Sequence, residues 1–346
     1  MDACARERRR PHLSLLMLGS QRSHSHMHRL IPLIFLVVAG LSPNSLSGTQ
    51  PFRINEVLPA PVVGASIIEV INISAAPADV SGFNLCWQFS YLGLPSAVLP
   101  AGGLLRVHLG ASGTNTATDV FVPLGLPPLG TLAEGVSLYR PGSGFTFFSN
   151  PANIVDFVQY GAGNQPRADV AQVAGIWPST SAFVPAPGTG VTVAWDGDGE
   201  GAGDWFRDAS PTLGAANLSP GAAALTVGPG CSAGAASVLG VNSAVALGNI
   251  DLALVLESAP ASKPGLLFVG FGTVSLPVLG ICTFYVNTSP VGLELPIATD
   301  GSGGFTLPLL LDDPLFIGVE LGLQAIVAND VFSPKFDMSN GLSLTF

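Results

Sequence analysis

Histidine almost disappears from this chain after its first 28 residues. His12, His24, His26 and His28 precede that point, and His108 stands alone in the remaining length. A Ser-His-Asp triad would have to be built on that one residue, and no G-x-S-x-G elbow accompanies it. If Leu104–Leu109 is a strand, positions 105, 107 and 109 share an apolar face, which turns His108 the other way beside Arg106 as a solvated side chain. H-E-x-x-H, C-x-x-C and Cys/His clusters are all missing, which excludes the usual zinc sites. Charge is scarce too, at 10% of residues against the usual quarter.

Long apolar runs are equally rare. Hydrophobic residues make up 48% of the chain, yet Gly (42) and Pro (29) break them into short pieces. The one sustained run, Leu30 to Leu41, follows Arg6, Arg8, Arg9, Arg10, Arg22 and Arg29 and precedes small residues. A basic flank, an apolar run of about a dozen residues and a small-residue site form the signal-peptide pattern. Residues 1–47 therefore read as a signal peptide cut before Gly48, with a cut after Gly40 as the alternative and Met27 as an alternative start. An uncleaved anchor would need a run of roughly 20 residues. No transmembrane span is expected after residue 47, and the product is expected to be secreted or held at the cell surface.

Six of the 13 basic residues and two of the 23 acidic ones lie in that segment. The remainder carries seven basic and 21 acidic side chains, a formal charge of −14. Nucleic acid is therefore not an expected partner, because binding it relies on neutralising phosphates with Lys and Arg. Of the three later cysteines, Cys231 and Cys282 could pair in an oxidising compartment, leaving Cys86 as a buried thiol.

What fills the chain is strand signal. Short runs at Phe52–Val57, Ser66–Asn72, Phe83–Gln88, Leu104–Leu109, Ser137–Tyr139, Ile154–Tyr160 and Val191–Trp195 alternate with Gly/Pro turn clusters. Only Ala168–Ala174 suits a short helix. The fold class expected is all-β, with about seven strands making a β-sandwich over residues 48–217. Within Ser66–Asn72, alternation assigns Glu69 to the solvent. Gly82 sits where a turn enters a strand and calls for a positive φ.

Six segments in order resemble the lamin-tail domain family of exported bacterial proteins over about residues 50–217. They are Ile54-Asn55-Glu56-Val57, Ile68-Glu69-Val70-Ile71-Asn72, Asp79-Val80-Ser81-Gly82-Phe83-Asn84-Leu85, Leu99 to Val107, Asp156-Phe157-Val158-Gln159-Tyr160-Gly161, and Trp205 with Ser210-Pro211-Thr212-Leu213-Gly214-Ala215-Ala216-Asn217. Phe83 and Leu213 depart from the family pattern. The resemblance implies an immunoglobulin-like β-sandwich that serves attachment and accompanies catalytic domains elsewhere. Residues 218–229 read as a linker. Residues 230–346 read as a second β-sandwich-like domain, with strands at Ala244–Leu247, Asp251–Leu256, Leu266–Phe271, Cys282–Val286, Gly304–Leu309, Gly322–Val327 and Leu342–Phe346.

Chemistry concentrates in one place. Asp196, Asp198, Glu200 and Asp204, spaced by Gly and followed by Asp208, are the candidate calcium ligands, since hard cations take several oxygens from flexible backbone. Arg207 occupies the position where an EF-hand needs Glu, and a plain hairpin loop is the alternative. Trp177, Trp195, Trp205 and Phe206 lie nearby and would suit a sugar platform or a core. Asp312-Asp313, before Pro314, reads as a solvated loop. Asn72-Ile73-Ser74 and Asn287-Thr288-Ser289 match glycosylation acceptors. The expected function is an exported, non-catalytic binding or structural module acting in extracellular or cell-surface attachment, with no cofactor beyond calcium and with an extracellular protein or polysaccharide as partner. A calcium-assisted secreted hydrolase using carboxylates and a calcium-dependent adhesin are the alternatives.

Overall fold

The computed structural model describes residues 50–60, 66–88, 90–123, 125–219, 221–232, 234–330 and 335–346. The signal segment and its cleavage sites lie outside these residues. Twelve strands form the N-terminal half: β1 (Phe52–Leu58), β2 (Ser66–Asn72), β3 (Ala78–Asp79), β4 (Asn84–Trp87), β5 (Ser90–Gly93), β6 (Val98–Leu99), β7 (Leu104–Leu109), β8 (Asp119–Val122), β9 (Glu134–Tyr139), β10 (Ile154–Tyr160), β11 (Thr192–Trp195) and β12 (Trp205–Asp208). They make a six-stranded sheet ordered β12-β11-β1-β2-β7-β8 and a four-stranded sheet ordered β10-β9-β4-β5; β3 and β6 pair separately. Strand alternation explains the packing. In β7, Leu105, Val107 and Leu109 are fully buried while Leu104, Arg106 and His108 are half-buried on the other face. The two sheets share one core that includes Trp87, Tyr139, Phe157 and Val70. Of the two short helices, α1 (Phe145–Phe148) and α2 (Ala168–Ala174), the second lies against β10. Gly82 has φ of +76°, the left-handed conformation its turn requires.

A β-bulge at Asn55 shifts the register of β1 between Ile54 and Glu56. The shift places Glu56 opposite Glu69 and generates one row across all six strands: Phe206, Ala194, Glu56, Glu69, Arg106 and Asp119. The row lies on the face turned away from the sandwich core. Contrary to the alternation argument, Glu69 is wholly buried, as is Glu56. The closing tail causes this. Thr212 donates from its backbone N to Glu56 at 3.1 Å, and Gly214 N donates to Glu69. Asn217 donates to the Asn55 carbonyl (2.8 Å) and the Trp195 carbonyl (2.7 Å), while Asn55 donates to Glu69 (2.8 Å). Thr192 completes the set with a 2.6 Å bond to Glu56. Burial pushes the Glu56 carboxyl up to about 7, against the pull of the Thr192 and Thr212 bonds, and it also raises Glu69 and Asp208.

The C-terminal half contains β13 (Ala223–Val227), β14 (Val238–Val241), β15 (Ala253–Glu257), β16 (Pro264–Phe271), β17 (Thr273–Val278), β18 (Cys282–Val286), β19 (Gly292–Ala298), β20 (Phe305–Pro308), β21 (Glu320–Ala328), β22 (Phe336–Met338) and β23 (Gly341–Thr345). A sheet ordered β13-β23-β21-β16-β19, with β22 on β21, shares a core with the sheet β14-β15-β20. Two expectations fail here. Ala223–Val227 lies inside the segment read as a linker, yet it pairs with β23 along its whole length, because backbone pairing needs no large side chains. Ala244–Leu247 is irregular, not a strand; its apolar side chains instead serve packing, Ala246 being buried with Phe206 and Ala194. Cys231 and Cys282 are joined by a disulfide that spans 51 residues, and Cys86 is buried in β4. Among the described residues no helix is long and apolar enough to cross a membrane.

The two halves meet along β12. Asp208 bridges Asn249, Ala209 N donates to the Gly248 carbonyl at 2.9 Å, and Ile250 N donates to the Arg207 carbonyl at 3.1 Å. Arg207 grips Asp251 through Nε (3.1 Å) and Nη2 (2.6 Å). Gly248 has φ of +79°, and a Cβ there would lie 2.3 Å from Asp208 Oδ1.

Two outcomes are expected. An acid whose folded pKa is raised binds its proton more tightly when folded, so stability is greatest at low pH and is lost as pH rises through the folded value. Holding Glu56 at about 7 instead of 4.5 makes its ionisation cost about 3 kcal/mol of stability. Melting temperature should therefore climb between pH 8 and pH 5, and Glu56→Gln should flatten much of that slope; a curve flat in the wild type would contradict the buried pair. Gly248→Ala should weaken docking of the halves, read as a single calorimetric transition splitting in two or as new protease sensitivity near residues 209–222.

Candidate functional site

The acidic loop connects β11 to β12, and its tight geometry follows from Gly197 and Gly199, both at positive φ. Asp196 accepts the Asp198 backbone N–H at 2.9 Å, Asp198 accepts that of Gly199 at 2.8 Å, and Asp204 accepts that of Gly201 at 2.6 Å. Glu200 leaves the group altogether and forms an ion pair with Arg53. Asp208 sits beyond the loop, fully buried beneath the second half. Burial raises Asp196 to about 6, helped by the neighbouring Asp204 and Asp198 charges. The four candidate ligands thus share a loop but not a centre. Among the described residues, no group of three or more His, Cys, Asp or Glu is placed to hold a metal ion.

The aromatic residues near the loop do not form a platform. Trp177, Trp205 and Phe206 are buried, Trp177 edge-on to Phe157 with ring centroids 5.4 Å apart. Trp195 is half-buried and donates its indole N–H to the Asp198 carbonyl at 2.8 Å, which ties down the loop. Asn72 is fully buried, its amide donating to the Ala76, Leu99 and Pro100 carbonyls, so it cannot accept a glycan. Asp313 caps the short 3-10 turn Pro314–Phe316 by accepting Leu315 N–H at 2.9 Å.

His108 is less solvated than its strand position implied. Its Nε2 lies 2.8 Å from Asp119, and its ring stacks on Phe121 with centroids 4.6 Å apart. Arg106 shares the same carboxylate at 2.9 Å. Although burial pushes Asp119 upward, hydrogen bonds from His108, Thr118 and Arg106 prevail and hold it at about 2. The acid partner was hidden from the sequence because β7 and β8 are parallel neighbours, a pairing that local spacing does not announce.

A cleft of about 720 Å³ lies between the ends of the two sheets. Arg53 from β1, Arg140 just past β9, Ile73, Ile154, Val173 near the end of α2, and Glu200 from the acidic loop contribute to its wall. Arg53 is doubly neutralised, by Glu200 and by buried Asp156 at 3.3 Å. Burial raises Asp156 to about 6 even with that guanidinium beside it. Arg140 differs. Its Nε is enclosed without a hydrogen-bond partner, and it makes no ion pair among the described residues. Sequence reasoning missed both arginines, since their meeting depends on how the two sheets pack.

Millimolar calcium and excess chelator should give melting temperatures within about a degree of each other, because a ligand that binds the native state at a hundredfold excess over its dissociation constant adds roughly 2.7 kcal/mol and would shift the midpoint by several degrees. A shift that large would require the loop to reorganise around the ion. No family model matches the chain, and no curated protein was found to match it.

Proposed function

We propose that the chain is an exported, non-catalytic binding or structural module of lamin-tail, immunoglobulin-like type that acts in attachment outside the cell or at its surface. The observation that carries the reading is how its ionisable groups are used. The buried carboxylates Glu56 and Glu69 fasten the closing tail, Asp156 and Glu200 hold Arg53, and Asp196, Asp198 and Asp204 bind their own loop's backbone. Acid–base work by carboxylates requires two of them to face one reacting bond, and these groups are spent on structure. The lamin-tail reading draws support from Asn55, Glu56, Glu69, Thr212, Gly214 and Asn217. These residues of three separate motifs meet in one hydrogen-bonded network. The hydrolase and adhesin alternatives both depend on convergence of the loop acids, and no observation favours either.

The purified chain should sediment saturably with washed cells of the producing organism or with their extracellular polymer, and should show no turnover on glycoside, phosphoester or peptide substrates. Turnover that Asp204→Asn abolishes would overturn the non-catalytic reading. Failure to associate with cells and polymer alike would remove attachment.

A further inference from the structure

In the cleft, Arg140 is a lining cation that has no side-chain hydrogen bond or ion pair among the described residues. We infer that the cleft binds a small aliphatic carboxylate, the carboxylate on Arg140 and the chain against Ile73, Ile154 and Val173; the inference rests on the binding-module reading. Three observations point this way.

The first is the unpartnered guanidinium. The Arg140 side chain makes no hydrogen bond or ion pair among the described residues; its Nε is enclosed by the protein, so a carboxylate in the cleft meets the Nη groups. The second is the wall. Val173 is 74% exposed and belongs to the same surface as Ile73, Ile154 and Ile176, so an apolar chain leaving the carboxylate has somewhere to lie. No aromatic side chain lines the cleft, which removes the stacking face that sugars use. The third is charge. Asp156 and Glu200 both engage Arg53, which leaves Arg140 as the lining cation with no carboxylate beside it, in a chain that carries −14 beyond residue 47. A monoanion can pair with that one guanidinium, whereas a phosphate monoester would bring a second negative charge beside Glu200 into a repulsive field. At about 720 Å³ the cleft falls within the usual range for small-ligand sites, roughly 300–1,000 Å³.

Titration calorimetry of the full chain at pH 7 tests this with octanoate, octanol and acetate as probes. Octanoate should bind saturably at one site, with octanol and acetate each at least about tenfold weaker, since one lacks the charge and the other the chain. Arg140→Gln should weaken octanoate at least about tenfold, and Arg140→Lys should fall between, keeping charge but losing the planar fork. Thermal melts of both variants separate loss of binding from loss of fold; the lysine variant decides the matter should the glutamine variant unfold. A peptide ending in Leu-Ile, as free acid and as amide, distinguishes sources: tighter binding of the acid form than of octanoate assigns the site to a chain end, the reverse to a lipid-derived acid. Octanol binding as tightly as octanoate, or Arg140→Gln leaving affinity unchanged, overturns the proposal. Neither result touches the attachment reading, which stands or falls on cell association and turnover.

Discussion

The N-terminal sandwich depends on a pair of carboxylates placed where carboxylates are least welcome. Asn55 bulges out of β1, Glu56 and Glu69 come to face each other across two strands, and the tail 210–217 closes over them. Burying two acids side by side is unfavourable unless each receives several donors. Here the donors come from Thr192 on β11, Asn55 in the bulge, and Thr212 and Gly214 in the tail. Remote parts of the chain are thereby obliged to meet. The tail cannot leave without stranding both carboxylates, and the β11–β12 hairpin is fixed to β1 through the same knot. This pins the acidic loop and places Glu200 over Arg53 at the mouth of the cleft.

The six-strand row shows how one face of a sheet serves three masters. Phe206 and Ala194 are covered by Ala246 of the C-terminal half, Glu56 and Glu69 by the tail, and Arg106 and Asp119 are left half-open beside His108. The Arg207–Asp251 clasp and the Asp208–Asn249 bridge then extend the sheet edge into the second half. An edge strand that would otherwise offer unpaired backbone to other molecules is consumed internally.

Seven strands of the first half (β1, β2, β4, β7, β9, β10 and β11) and the helix Ala168–Ala174 were legible because alternation and turn residues are local signals, whereas the short β3, β5, β6, β8 and β12 were not. Motif residues such as Asn55, Glu56 and Asn217 were visible as a pattern, though not as partners. What escaped depends on coverage. Glu69 obeys the alternation rule and does face away from the core, but the rule is silent about a tail that returns 145 residues later. Ala223–Val227 was read as a linker because its residues are small, while its strand state comes from β23, over a hundred residues on. Asp196, Asp198, Glu200 and Asp204 advertised a cation site through their spacing. Their actual partners are backbone amides and Arg53, which composition cannot distinguish from an ion. The cleft arginines carried no signal, since a cavity is a property of two sheets together.

The placement of β23 has a consequence for how the second half comes into being. This strand lies between β13 and β21, so it supplies the hydrogen bonds to both of their facing edges. Until Gly341–Thr345 has been synthesised, β13 has no partner strand and β21 is unpaired along Glu320–Leu323 on one side. The sheet is thus a purse closed by a late drawstring: chain emerging ahead of it holds unmatched strand edges in waiting.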